Sequence, residues 1–170
     1  MQITPRLTSI RAPQADPGDL LIVHDDTGSY VALAVKEPRD GELLVLFLGP
    51  PSAEAPETPV LTGFPPRSIA TSFAKEYAVR LPVEPAAWIN TEPQTGNCLV
   101  LSGDKIYIRA LYGYVGQRVY VYISMVEGIL LEDSSGRFAR PTDRCTYVVK
   151  WDIMTLETVP RLILSLGTSA

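Results

Sequence analysis

Apolar residues come along this chain in short runs broken by turn residues. The first third carries three such runs, "DLLIVH" (19–24), "SYVALAV" (29–35) and "ELLVLFL" (42–48), separated by "DDTG" and "EPRDG". Asp, Pro and Gly in the gaps supply turn dihedrals and side-chain-to-backbone hydrogen bonds, so the pattern predicts an antiparallel β meander. The next stretch, "GPPSAEAPETPVLTGFPP" (49–66), holds six prolines in eighteen residues. Proline removes backbone donors, and the segment is expected as an extended loop or linker, neither helix nor central strand.

A helical period competes in one place. Ile69, Phe73 and Tyr77 recur at four-residue spacing behind Ser68 as a cap, which predicts one short helix near 67–78, although "YAVRLPVEP" also reads as an edge strand. Beyond it the pattern is β again, in "CLVLS", "KIYIRAL", "RVYVYIS", "GILLE", "CTYVVKWDI" and "RLILSL". The halves also overlay weakly: 17–23 on 102–108, 30–36 on 118–124 and 40–45 on 127–132, at an offset of 85 to 88 residues. A duplicated supersecondary unit leaves that kind of period, and so do two unrelated meanders. The expected fold is mainly β, with antiparallel meanders forming one or two small barrels of Tudor-like or Src-homology type, or a sandwich, and at most one short helix. The expected organisation is a first meander over 1–48, the proline-rich loop or linker over 49–66, and a second β-rich unit over 67–170 that copies the first if the repeat is real.

Composition changes this picture little. With 170 residues, 46% of them hydrophobic, a sizeable core is available. "MQITPRLTSI" does not resemble a signal peptide, and no window approaches the roughly 18 apolar residues that cross a bilayer, so a cytoplasmic protein with no membrane partner is expected. Cys98 and Cys145 are too few for a disulfide framework and are expected as buried thiols. Residues 1–90 hold 7 Lys/Arg against 11 Asp/Glu and residues 91–170 hold 8 of each, for a net charge of −4. Neither half is a polycation of the kind that binds duplex nucleic acid nonspecifically.

The candidate chemistry is sparse. "IVHDDTGS" (22–29) resembles the catalytic aspartate loop of pepsin-like and retroviral aspartic proteases, in which two such aspartates share a proton. This chain carries one Asp-Thr-Gly, so the resemblance implies a homodimer to supply the second. On turn chemistry alone the same residues form a hairpin loop, with Asp25 and Asp26 capping the turn and glycine supplying its bulge. His24 is the only histidine, which excludes a multi-histidine metal centre, and no G-x-S-x-G elbow accompanies it. Gly113 and Gly116 precede a β run rather than a helix and mark a turn, not a phosphate loop. No catalytic residue, metal or cofactor is therefore expected.

Aromatic residues give a stronger pattern. Six of the eight tyrosines fall between 107 and 147, and in "KIYIRA" and "QRVYVYIS" they alternate with Ile and Val. If Ile106, Ile108, Val119, Val121 and Ile123 face the core, Lys105, Tyr107, Arg109, Arg118, Tyr120 and Tyr122 share the opposite face. Turning that face inward would bury three cations, so it is expected outward, either capped by another segment or available to a partner. Tyrosine also favours strands for packing reasons alone. The sequence points first to a noncatalytic β-rich binding or assembly module acting through a sheet face or edge on a protein partner or on its own copy. Next comes a binder of single-stranded nucleic acid or sugar through the tyrosine–cation face, and third a dimeric aspartic protease.

Overall fold

A computed structural model describes residues 8–11, 14–49, 60–65, 68–94, 98–113, 116–149 and 151–155. Its strands are β1 (Thr8–Arg11), β2 (Leu20–Asp25), β3 (Gly28–Lys36), β4 (Leu43–Gly49), β5 (Val60–Gly63), β6 (Ile69–Ser72), β7 (Tyr77–Arg80), β8 (Trp88–Ile89), β9 (Cys98–Ser102), β10 (Lys105–Tyr112), β11 (Val119–Ser124), β12 (Ile129–Leu130), β13 (Cys145–Val148) and β14 (Asp152–Thr155). The protein is mainly β, with a 3-10 turn at Pro85–Ala87.

Two three-stranded meanders organise the large sheet. In the first, β3 pairs antiparallel with β2 and with β4; in the second, β11 pairs antiparallel with β10 and with β12. Strand β5 connects them, lying antiparallel to β4 and parallel to β10, and on the other side β12 meets β3 in parallel through Ile129 opposite Lys36. The succession β3, β4, β5, β10, β11, β12 therefore closes on itself as a ring. The twelve-stranded sheet continues past the ring through β2, β6 and β1 on one flank and β9, β13 and β8 on the other, while β7 and β14 form a separate two-stranded ribbon.

Period-two alternation fills the ring. Leu33, Val35, Leu46, Ile108, Ala110, Val121 and Ile123 point inward and are fully buried, with Leu44, Leu48, Leu61 and Leu130 around them. Each leucine, isoleucine and valine among them contributes about 1.5–3 kcal/mol on leaving water. The outer faces of both meanders are covered as well. Leu21, Val23, Ala32, Ala34, Val45 and Ala70 pack together outside the first, and Cys98, Val100, Tyr107 and Tyr122 outside the second. Burial on both faces explains why the Ala32–Val35 stretch of β3 is apolar at every position.

The meanders touch backbone to backbone. Lys36 N–H donates to the Gly128 carbonyl (2.7 Å), while Gly18 N–H, just before β2, donates to the Ala34 carbonyl (2.8 Å) within the first meander. Gly128 has φ +62°, and a methyl there would overlap the Gly18 nitrogen and the Pro17 carbonyl carbon, so only glycine fits. The Tyr77 hydroxyl, shared between the Gly18 carbonyl (3.3 Å) and the Met125 carbonyl (3.2 Å), clasps the junction. Burial pushes its pKa up to about 12.

Several expectations need correcting. The helix near 67–78 does not form: Ile69 and Tyr77 open two separate strands, with a turn at Ala74 (φ +50°) between them. The segment expected as a proline-rich loop contains β5, which lies between β4 and β10 inside the sheet; "VLTG" itself has no proline. Residues 50–59 of that segment lie outside the described residues, as does "RLILSL" near the C-terminus. Strand β6, from the segment beyond 66, pairs with β1 and β2 of the segment before 49. Cys145 lies opposite Ser102, four residues along β9 from Cys98, or roughly 13 Å at strand rise. The two thiols are free, and at that spacing out of each other's disulfide reach. Cys98 is buried and Cys145 only partly so.

Candidate functional site

Strands β10 and β11 carry the tyrosine–cation face. Their register sets Tyr107 opposite Ser124, Arg109 opposite Tyr122 and Leu111 opposite Tyr120, so Tyr107, Arg109, Tyr120 and Tyr122 stand on one face, away from the ring. Ile108, Ala110, Val121 and Ile123 take the other face, as alternation requires. Lys105 and Arg118 lie exposed at opposite ends of the hairpin. Val119, expected in the core, is 46% exposed beside the turn.

The centre of this face is covered. The Glu92 carboxylate, from the irregular segment between β8 and β9, sits over it. Tyr122 Oη donates to Glu92 Oε1 (2.6 Å), Arg109 Nε approaches the same oxygen (3.2 Å), and Arg140 Nη1 donates to Oε2 (2.6 Å). On its other side the Arg109 guanidinium stacks 3.5 Å from the Tyr120 ring centroid. Side-chain exposure grades outward, from 4% for Arg109 through 22% for Glu92 to 74% for Arg140. Two hydrogen bonds and an ion pair thus converge on one carboxylate, and the Arg109 guanidinium touches both that anion and a ring. Burial raises the Tyr122 pKa, and the Glu92 carboxylate that accepts its proton raises it further. Burial also pushes the Cys98 thiol up to about 11, against the influence of nearby Arg109. Such a thiol stays protonated and is a weak nucleophile.

Sequence reasoning reached Arg109, Tyr120 and Tyr122 but missed Glu92 and Arg140. A buried arginine requires a carboxylate, and that requirement was the one available signal. It does not say which of the acidic residues answers it.

At the Asp-Thr-Gly hairpin, Asp25 pairs with Gly28 across a two-residue loop of Asp26 and Thr27. Asp25 Oδ1 accepts from Thr27 N–H (2.7 Å), Thr27 Oγ1 (2.6 Å) and Gly28 N–H (3.0 Å), and these bonds hold its pKa below the ordinary value. The Asp26 side chain stands exposed at the tip. His24 Nδ1 lies 2.8 Å from Ser29 Oγ, on the neighbouring strand.

Among the described residues, Glu37, Asp40 and Glu42 group as potential metal ligands, with ligand atoms within 4.8 Å of one another. They belong to the β3–β4 turn, where Asp40 Oδ1 already accepts from Glu42 N–H (2.8 Å). An open groove of about 630 Å³ runs along the meander junction past Asp16, Asp19, Lys36, Lys75, Glu127 and Ile129. No described helix is long and apolar enough to cross a membrane. No protein-family model, no curated protein and no solved structure matches this chain.

Proposed function

We propose that this chain is a noncatalytic β-rich binding or assembly module that joins a protein partner, or a second copy of itself, through an edge of its sheet. One observation carries the reading. The large sheet ends on β1, which pairs with β6 on one side, and no described strand pairs with its other side. An edge strand offers a row of backbone donors and acceptors to an added strand, the basis of β-augmentation. Ile69, opposite Arg11 and 56% exposed, adds apolar surface at that edge. The closed succession of six strands supports reading the centre as one small barrel, which leaves edges only at the sheet's ends.

Proline substitution tests the edge. Ser9 and Ile10 alternate in direction along β1, so Ser9→Pro and Ile10→Pro each delete one amide, one of them facing β6 and the other facing outward. The outward-facing deletion is expected to abolish self-association or partner binding in sedimentation velocity while leaving the melting temperature nearly unchanged. A chain that stays monomeric at every concentration, and binds any identified partner equally well with either proline, is not an edge-binding module.

A further inference from the structure

We infer that Arg109, Arg140 and Tyr122 form a carboxylate-binding site that Glu92 occupies in cis, and that the site accepts an acidic side chain from an extended segment of a protein partner when the Glu92 segment is displaced. This inference goes beyond the edge reading and survives its failure, since it concerns the outer face of β10 and β11, away from β1.

Three features support it. The receptor half is built on the sheet: Arg109 and Tyr122 face each other in register on β10 and β11, and the Tyr120 ring stacks on the guanidinium. The occupant comes from an irregular segment, residues 90–94, rather than from the sheet. Finally, a buried arginine–glutamate pair is a poor way to stabilise a fold, because desolvation offsets most of its attraction and an apolar pair of similar size serves as well or better. A site built to exchange one carboxylate for another gives the pair a use.

The way in is visible. Glu92 Oε1 is held on the inner side by Arg109 and Tyr122, whereas Oε2 reaches outward to Arg140, whose side chain is mostly exposed. An incoming carboxylate meets Arg140 first and takes the inner donors as Glu92 leaves. The donor geometry is that of a carboxylate, two cations and a hydroxyl around two oxygens. The chain's own "NTEPQ" (90–94) is the template for the ligand.

The test uses the full chain with Glu92→Ala and a labelled peptide copying residues 88–94. The peptide is expected to bind Glu92→Ala saturably and at least about tenfold more tightly than it binds wild type, where the cis carboxylate competes. A peptide carrying Gln in place of Glu92 should bind about tenfold more weakly, and adding Arg140→Ala should remove most of the binding. Acetate should also raise the melting temperature of Glu92→Ala above that in chloride at equal ionic strength. Equal binding of the two peptides, or no response to acetate, overturns the inference. Stabilisation by inorganic phosphate but not by acetate overturns its carboxylate assignment. If Glu92→Ala folds in neither salt, Glu92→Gln, which keeps an acceptor for Tyr122, takes its place, and its failure to bind the peptide is likewise decisive against the site.

Discussion

Arg109 shows how a single residue is placed by two opposed requirements. Alternation along β10 sends it away from the ring, yet the outer layer buries it, so its charge has to be met by Glu92 and the Tyr120 ring. Glu92→Ala takes the carboxylate away from that buried charge and is expected to cost about 3–5 kcal/mol in urea unfolding. Arg140→Ala, which removes an exposed partner of the same carboxylate, should cost under about 1 kcal/mol. Comparable losses for the two variants would mean that the pair is not desolvated as described. Residue-scale titration gives a second expectation. Cys98 rises from 9 to about 11 and Tyr77 from 10 to about 12, both through burial. The folded protein then keeps protons that the unfolded chain releases, so stability is fully present below pH 9 and falls progressively between pH 9 and 12. Tyr77→Phe should flatten the part of that fall above pH 10, measured as the urea midpoint against pH, and an unchanged slope would remove Tyr77 as a source.

At the scale of elements, the strands whose apolar runs lie between good turn residues were legible in the sequence. The apolar runs giving β2, β3, β4, β9, β10 and β11 form strands as expected, because the intervening Asp-Thr-Gly, Pro-Arg-Asp-Gly and Gly-Asp turns bound them, although Val119 at the start of β11 is exposed and β3 is apolar on both faces. The short helix near 67–78 failed for a physical reason. Ile69, Phe73 and Tyr77 fit a helical face, but Ala70 packs in the outer layer of the first meander and Tyr77 is drawn to the Gly18 and Met125 carbonyls; those long-range contacts override local period. Strand β5 was hidden by the prolines around it. The pairing of Glu92 with Arg109 was not legible at all, since charge complementarity carries no register. The hairpin at Asp25 makes the element-scale prediction. Asp25→Ala removes the acceptor of three hydrogen bonds and is expected to lower the urea midpoint, while Asp26→Asn at the exposed tip should leave it unchanged. Acid-pH peptidase activity lost in Asp26→Asn would reverse the roles of the two residues and revive the protease resemblance.

For the whole molecule, the deciding fact is that the ring draws strands from both ends of the sequence. Strand β3 meets β12 and β4 reaches β10 through β5, so the inward-facing Leu33, Val35, Leu44 and Leu46 are covered by residues more than sixty positions away. A fragment ending at residue 66 keeps its meander but loses that cover. It is expected to give a poorly dispersed NMR spectrum, and a folded fragment would show that the first meander stands alone. Long-range pairing of this kind also makes for folding in the millisecond-to-second range rather than faster.

The ring's narrowest join is the meeting of β12 and β3, where the ladder consists of Ile129 opposite Lys36 and the Lys36 amide on the Gly128 carbonyl. Every other junction around the ring is at least two residue pairs wide. A closed band with one thin weld yields at the weld. Under tension between the two meanders the molecule should part there first, unrolling into an open sheet still hinged on β5. The Lys36 amide would then exchange with solvent deuterium earlier than its neighbours in the middle of β3, before either meander has lost a strand.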